Sequence, residues 1–526
     1  MKKYNKIVLA FCALLFMVTS CKDDLNLTPT NDITADVAYA TPEGYKKGIA
    51  KVYGSIGTSA NGGPSATTGD IGGVDAGTSD FIRSFWMSQE LPTDEAACAW
   101  GDPGLPELNF MTYTSSNVLL LGLYARSVYQ ITLVNEFLRE STDAKLSARG
   151  ITGDDATEIK YYISEARFLR AYQYWVLMDA FGNPPFITEE STVGKESPKQ
   201  ISRADLFTYV ESELLAIEPT LKETNEYGRV TQGADWALLA RVYLNAQVYI
   251  GTPKFTEAAT YAEKVINSKR YTLHTSYANL FKADNNLNNP EVILSVNYDG
   301  TSTQNYGGST FLINAAINGD MGTASFGVPS GGWGGNRSRA TLPQKFGNYA
   351  TTADKRAMFY GTTPAITDIT IFTQGLAVTK FTNKTSTGAT APSVNGIFCS
   401  TDFPLFRLAE MYLVYAEAVL RGGSGSPATA INYVNLLRQR AYGNTSGNVS
   451  SLTVDDILNE RSKELYWECF RRTDLVRYGK FTEASYLWPY KGGVINGKGV
   501  ESFRNLYPLP STDVIANTNL IQNPGY

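Results

Sequence analysis

One histidine in 526 residues removes whole classes of chemistry from this chain. A multi-histidine zinc site is excluded, and a catalytic triad would have only His274 to serve as base. His274 sits in Tyr271-Thr272-Leu273-His274-Thr275 and reads as a surface residue. Cysteine is almost as scarce. Of five, Cys12 and Cys21 fall at the amino terminus, and Cys98, Cys399 and Cys469 are too far apart for a disulfide framework or a CxxC metal site. No basic run occurs and the formal charge is -5, so nucleic acid finds no electrostatic footprint.

What is present begins with an export signal. Lys2, Lys3 and Lys6 precede the uncharged run Ile7 to Val18, which is too short to span a bilayer and suits a signal core. Val18-Thr19-Ser20-Cys21 then matches the bacterial lipoprotein cleavage pattern. Residues 1–20 are therefore expected to be removed, and Cys21 to carry the lipid. Each buried methylene contributes about 0.8 kcal/mol, so two or three long acyl chains hold such a protein on a membrane. Loss of the three lysines takes the formal charge from -5 to -8. Lys22-Asp23-Asp24 resembles the signal that sends some lipoproteins to the outer face of the outer membrane.

After a tether over residues 21–40, residues 41–526 read as one mostly α-helical domain. Thr41-Pro42-Glu43 opens a helix through Tyr45, Ile49, Val52 and Tyr53, with threonine as N-cap and proline in the first turn. Helical periodicity returns at Asn117 to Glu140 and at Glu158 to Phe181, where Gly182-Asn183-Pro184-Pro185 stops it. Residues 203–268 and the stretch Phe406 to Tyr442 face small residues against aromatics across helix hairpins. That is the pattern of degenerate tetratricopeptide repeats, whose unit is about 34 residues. The helical scaffold is thus expected at 41–56, 117–284 and 401–480. Two loop-rich segments, 57–116 and 285–400, interrupt it and are expected to carry the ligand face. The second holds short strand-like runs at Val292 to Val296 and Ala377 to Phe381.

Within that insertion, glycines at 322, 327, 331, 332, 334 and 335 surround Trp333. No Gly-Lys-Ser/Thr ending follows, so this is no phosphate loop. An indole among glycines either projects into solvent or lies buried in a turn. The run from Asp284 to Asn289 offers oxygen ligands of the type calcium takes, with Asp284, Asn286 and Asn288 as candidates for a structural ion. The same run forms Asx turns before Pro290, and no EF-hand spacing completes it. No other cofactor is expected.

Thr453-Val454-Asp455-Asp456 starts a last helix, read as continuing from Glu460-Arg461 through Glu464-Leu465-Tyr466-Trp467-Glu468 to Arg471-Arg472-Thr473-Asp474-Leu475-Val476-Arg477-Tyr478. Its many charges could form a solvated face. Their order, however, closely resembles the C-terminal pattern of the SusD/RagB family of outer-membrane nutrient-binding lipoproteins. Glu165-Ala166-Arg167-Phe168-Leu169-Arg170-Ala171, Asp402-Phe403-Pro404-Leu405-Phe406-Arg407 and the terminal Gln522-Asn523-Pro524-Gly525-Tyr526 agree with it.

Further stretches, among them Glu90-Leu91-Pro92-Thr93-Asp94-Glu95, Asn305-Tyr306-Gly307-Gly308 and Lys491-Gly492-Gly493, resemble a starch-binding member of that family. The resemblance implies a SusD-like fold and a lipid-anchored, non-catalytic protein at the cell surface. It would capture starch or malto-oligosaccharides and pass them to a TonB-dependent outer-membrane transporter. It also implies a surface arc of Trp100, Tyr306 and Trp333, with Asp75 and Arg83 as hydrogen-bonding partners. Sugar C–H faces stack on such rings while hydroxyls find donors and acceptors at the rim. Two departures stand out: Cys98 replaces a second tryptophan, and Asp102-Pro103 replaces a ligand-binding amide. Three other readings stay open, namely a different glycan, a protein-binding repeat adaptor, and a surface glycoside hydrolase using Asp94 with Glu95, or Asp75 with Asp80.

Overall fold

The computed structural model describes residues 34–60, 63, 69–192, 194 and 196–526; Cys21 and the leader lie outside the described residues. The principal helices are α1 (Pro42–Gly57), α2 (Phe81–Glu90), α3 (Leu105–Phe110), α4 (Val118–Glu140), α5 (Gly153–Ala180), α6 (Arg203–Ile217), α7 (Gln232–Leu244), α8 (Phe255–Asn267), α9 (Gly308–Asn314), α10 (Leu408–Leu420), α11 (Pro427–Tyr442), α12 (Val454–Leu465) and α13 (Arg471–Arg477). Local chemistry sets their starts. Thr41 Oγ1 accepts from Gly44 N, Asn117 Oδ1 accepts from both Leu119 N and Leu120 N, and Thr453 with Asp456 closes a capping box. Helix α4 is long and apolar enough to cross a membrane, yet most of its length is buried and it packs against α5.

The scaffold is the expected succession of hairpins. Helix α7 packs on α8, α8 on α10, and α10 on α11, with small residues such as Ala240, Ala262, Ala416 and Ala430 wholly buried between them. Strands are few and antiparallel in pairs: β1 (Ala96–Cys98) with β3 (Asn336–Ser338), and β2 (Val292–Val296) with β5 (Phe403–Arg407). A short β4 (Ala377–Val378) pairs with residues 359–360.

Two expectations need correction. Residues 57–116 are not loop throughout: α2, every residue of which is buried, along with β1 and α3, lies inside that stretch. Phe81, Ile82, Phe85 and Trp86 do recur at helical spacing, but the helix is only ten residues long and follows the Gly- and Ser-rich stretch that set the loop reading.

Nor does one helix run from Thr453 to Tyr478. Tyr466 turns extended, and Trp467 and Cys469 take positive φ of 64° and 68° before α13 begins. Such conformations cost of order 1–3 kcal/mol each and persist only where surrounding contacts impose them. Here the turn carries Glu468 onto Arg407 (2.7 Å) and Lys380 (2.6 Å), and Cys469 N donates to Glu90 Oε1.

The charges of this segment are therefore not a solvated face. Arg407 Nη1 meets Glu291 at 2.9 Å and Glu464 at 2.6 Å. Arg356 joins Asp354, Glu460 and Glu464, Arg440 joins Glu291 and Glu464, and Arg471 grips Asp94 with two nitrogens. Glu464 and Arg356 are fully buried. This ionic core bolts α12 and α13 to β5, to α11 and to the segment after α2. His274 is half-buried, its Nδ1 accepting from Ser276 N.

Candidate functional site

The ladder between β1 and β3 builds the site. Cys98 pairs with Asn336, and Ala99 N donates to Gly335 O, so Trp100 arrives beside the glycine loop that holds Trp333. That loop is pinned to the end of α9. Trp333 N donates to Asn314 O at 2.7 Å, Gly334 N to Ile317 O, and Gly335 N to Ala315 O. The glycines are required by contact. A Cβ at Gly331 would lie 1.7 Å from Asn314 Oδ1, and one at Gly335 would lie 2.3 Å from Trp100 Cε2. Gly335→Ala is accordingly expected to push the Trp100 indole aside, which the near-ultraviolet circular dichroism should read as a changed tryptophan band. The far-ultraviolet circular dichroism should stay unchanged.

The three rings converge. Trp333 is central, with ring centroids 6.5 Å from Trp100 and 6.1 Å from Tyr306, at interplanar angles of 44° and 60°. All three are half-buried, so each keeps part of its surface open to solvent. Trp100 Nε1 donates to Trp333 O, and Tyr306 leans on Phe398 at 5.6 Å. The rings curve rather than lie coplanar.

Arg83 ties the arc together from beneath. It is 9% exposed, and its Nη1 donates to Gly77 O and Tyr306 O. Its guanidinium lies over Phe311 at 4.7 Å and Trp100 at 5.8 Å. Burial pulls it down to about 10, while Cys98, Asp80, Asp102 and Asp75 act against that pull. Its position is that of a buried brace, with backbone carbonyls taking one of its amino groups. Asp75 is exposed, its Oδ1 accepting from Thr78 N and Oγ1, and Gly77 separates it from the Tyr306 ring.

Asp80, offered by the sequence only as half of a hydrolytic pair, joins the two halves. As N-cap of α2 it accepts from Arg83 N at 3.0 Å, and the same oxygen accepts from Gly308 N at 2.9 Å, fixing the Tyr306 loop to the Arg83 helix. Its carboxyl is raised to about 6 by burial, against the pull of those two backbone hydrogen bonds, Arg126 and Arg83. Asp followed three residues later by a helical N–H is a capping pattern, and that signal was available. Phe311, Phe398 and Phe372 around the glycine loop carried no such signal.

Cys98 adds no ring to the arc. It is 1% exposed inside β1, its thiol pushed up to about 12 by burial, and offers nothing to the open face. Both candidate hydrolytic pairs also have other employment. Asp94 is sealed by Arg471, Lys345 and Tyr486, and Glu95 by Ser462, while Asp80 is the cap just described. The Asp284 run is a turn. Asp284 accepts from Ser386 N and Oγ, and Asn286 and Asn288 are exposed. Among the described residues no group of three or more His, Cys, Asp or Glu side chains is placed to hold a metal ion.

Comparison with known proteins decides the family. The chain is 35% identical, over 97% of its own length and 96% of the relative's, to the starch-binding protein SusD of Bacteroides thetaiotaomicron. This chain belongs to the SusD family. The SusD family model matches residues 323–526, the stretch holding Trp333, α12 and α13. A SusD-like protein, P2, of Formosa agariphila is 24% identical over the whole of both chains. Among solved structures, a SusD homologue from Bacteroides thetaiotaomicron superimposes with a TM-score of 0.72 at 20% identity, covering 93% of this chain and 97% of its own. The surface glycan-binding protein A of the same organism, in complex with laminarihexaose, gives 0.68 at 20% identity, covering 91% and 99%. These likenesses place the SusD fold on the whole described body.

Proposed function

We propose that this SusD-family protein is a non-catalytic glycan binder of the cell surface, taking starch or malto-oligosaccharides on Trp100, Tyr306 and Trp333. The observation that carries the reading is the convergence of those rings on one face, braced by Arg83 and bordered by Asp75. The 35% identity to a protein named for starch binding supports an α-glucan over other sugars. The tilt between rings supports a curved chain, which a β-1,3-glucan such as laminarihexaose also presents, so that glycan is the alternative. The family names attached to these relatives are those of binders rather than enzymes, in keeping with acidic pairs that are consumed in structure.

The same proposal includes lipidation at Cys21 after removal of residues 1–20, and attachment to the outer membrane over the 21–40 tether. The single domain 41–526 would deliver its ligand to a TonB-dependent transporter.

Incubation with maltoheptaose separates the classes. Saturable binding with no new reducing ends over hours is the expected result; release of reducing ends would establish a hydrolase. Binding of laminarihexaose in place of maltoheptaose would move the substrate to β-1,3-glucan. Failure to bind any glycan, with capture of a transporter, would leave an adaptor.

A further inference from the structure

Away from the aromatic arc, α1 forms one wall of an apolar cavity of about 340 Å³. Ile49 and Gly54 of α1, Leu169 of α5, Leu294 and Val296 of β2, and Tyr227 line it, and none of the arc's rings does. The volume falls at the small end of the roughly 300–1,000 Å³ typical of pockets for organic ligands.

Gly54 is the telling residue. It stands inside a helix, where glycine is the poorest former after proline. A Cβ added there would meet nothing within 4 Å, and its φ is not among the positive values that demand glycine. Neither close packing nor backbone geometry asks for it, and its effect is to keep space open in front of the helix.

The charges at the opening are unequal. Arg229 is already met by Glu165 at 2.5 Å and by Glu226 at 3.4 Å. Lys46 lies on the same face of α1 as Ala50, Tyr53, Gly54 and Gly57, is exposed, and makes no ion pair among the described residues. An uncommitted ammonium beside an aliphatic hollow is complementary to an apolar body with one anionic head. We propose that this cavity binds a small apolar carboxylic acid, its hydrocarbon in front of Gly54 and its carboxylate at Lys46.

Calorimetric titration of the whole protein with sodium decanoate tests this, with 1-decanol as the uncharged comparison. Saturable one-to-one binding of decanoate is expected. Gly54→Phe, which fills the hollow, should abolish it, and Lys46→Ala should weaken it about tenfold, as loss of one charge-assisted contact does. Both variants should retain the wild-type thermal midpoint and maltoheptaose binding, which separates this site from the arc. No saturable decanoate binding, or binding undiminished in Gly54→Phe, overturns the cavity assignment. Equal affinity for decanol, or no effect of Lys46→Ala, overturns the ligand class.

Discussion

Replacing Trp333 with alanine is expected to weaken retention on a starch affinity gel by roughly thirtyfold or more, the equivalent of about 2 kcal/mol, as removal of a central aromatic anchor does. Trp333 is the ring that both others approach, so its loss leaves Trp100 and Tyr306 as separated platforms. The fold should survive. The loop is held by backbone hydrogen bonds from residues 333 to 336 to the end of α9, and alanine keeps every one of those donors. The indole is half-buried, so the expected change in thermal midpoint is a few degrees at most. A variant that binds like wild type would remove the arc from the account. One that loses binding and folding together would show the ring to be a core residue.

The second large effect lies in the ionic core. Glu464→Ala is expected to destabilise the protein by about 3–5 kcal/mol, the cost of leaving buried cations without their partner. Such a loss is a large part of the 5–15 kcal/mol that holds a typical domain together. Arg407, Arg440 and Arg356 all meet this one carboxylate. Burial alone would raise the Glu464 carboxyl, but those arginines overcome it and hold the group well below the ordinary carboxylate range. Because the folded value is depressed, the stabilisation is fully present above the unfolded value near 4.3. It drains away as pH falls through the folded value. Urea midpoints should therefore differ widely between wild type and Glu464→Gln at pH 7 and draw together in strong acid. A constant gap across that range would show that the carboxylate's charge is not what stabilises.

These two cases also show which parts of the molecule can be read from residues alone. Thr41, Asn117 and Thr453 announce their helices because a cap is a local event, settled by side chain and backbone within three residues. The strand Val292–Val296 was visible as a bounded β-branched run. Helix α2 was overlooked although Phe81, Ile82, Phe85 and Trp86 recur at helical spacing, because the Gly- and Ser-rich residues before it set the reading of the whole stretch.

The break at residues 466–470 was hidden for a different reason. Continuous helical propensity runs through it, and only distant partners, Arg407 and Lys380 among them, make the bend favourable. Within the site, Trp100, Tyr306 and Trp333 are separated by up to 233 positions, and no spacing rule brings them together. The family resemblance named them. Why Gly331 and Gly335 must be so small became clear only from Asn314 and Trp100 standing where their Cβ atoms would go. Every residue of β1 is buried, so no alternation in the strand marks Cys98, which the resemblance set in place of a second tryptophan, as shut away from the open face.

The most direct measurement is a crystal structure of the protein soaked with maltoheptaose. The account requires glucose rings with their C–H faces against Trp100, Tyr306 and Trp333, and hydroxyls within hydrogen-bond reach of the polar groups beside them. Sugar bound elsewhere on the surface, with those three rings left bare, would contradict it.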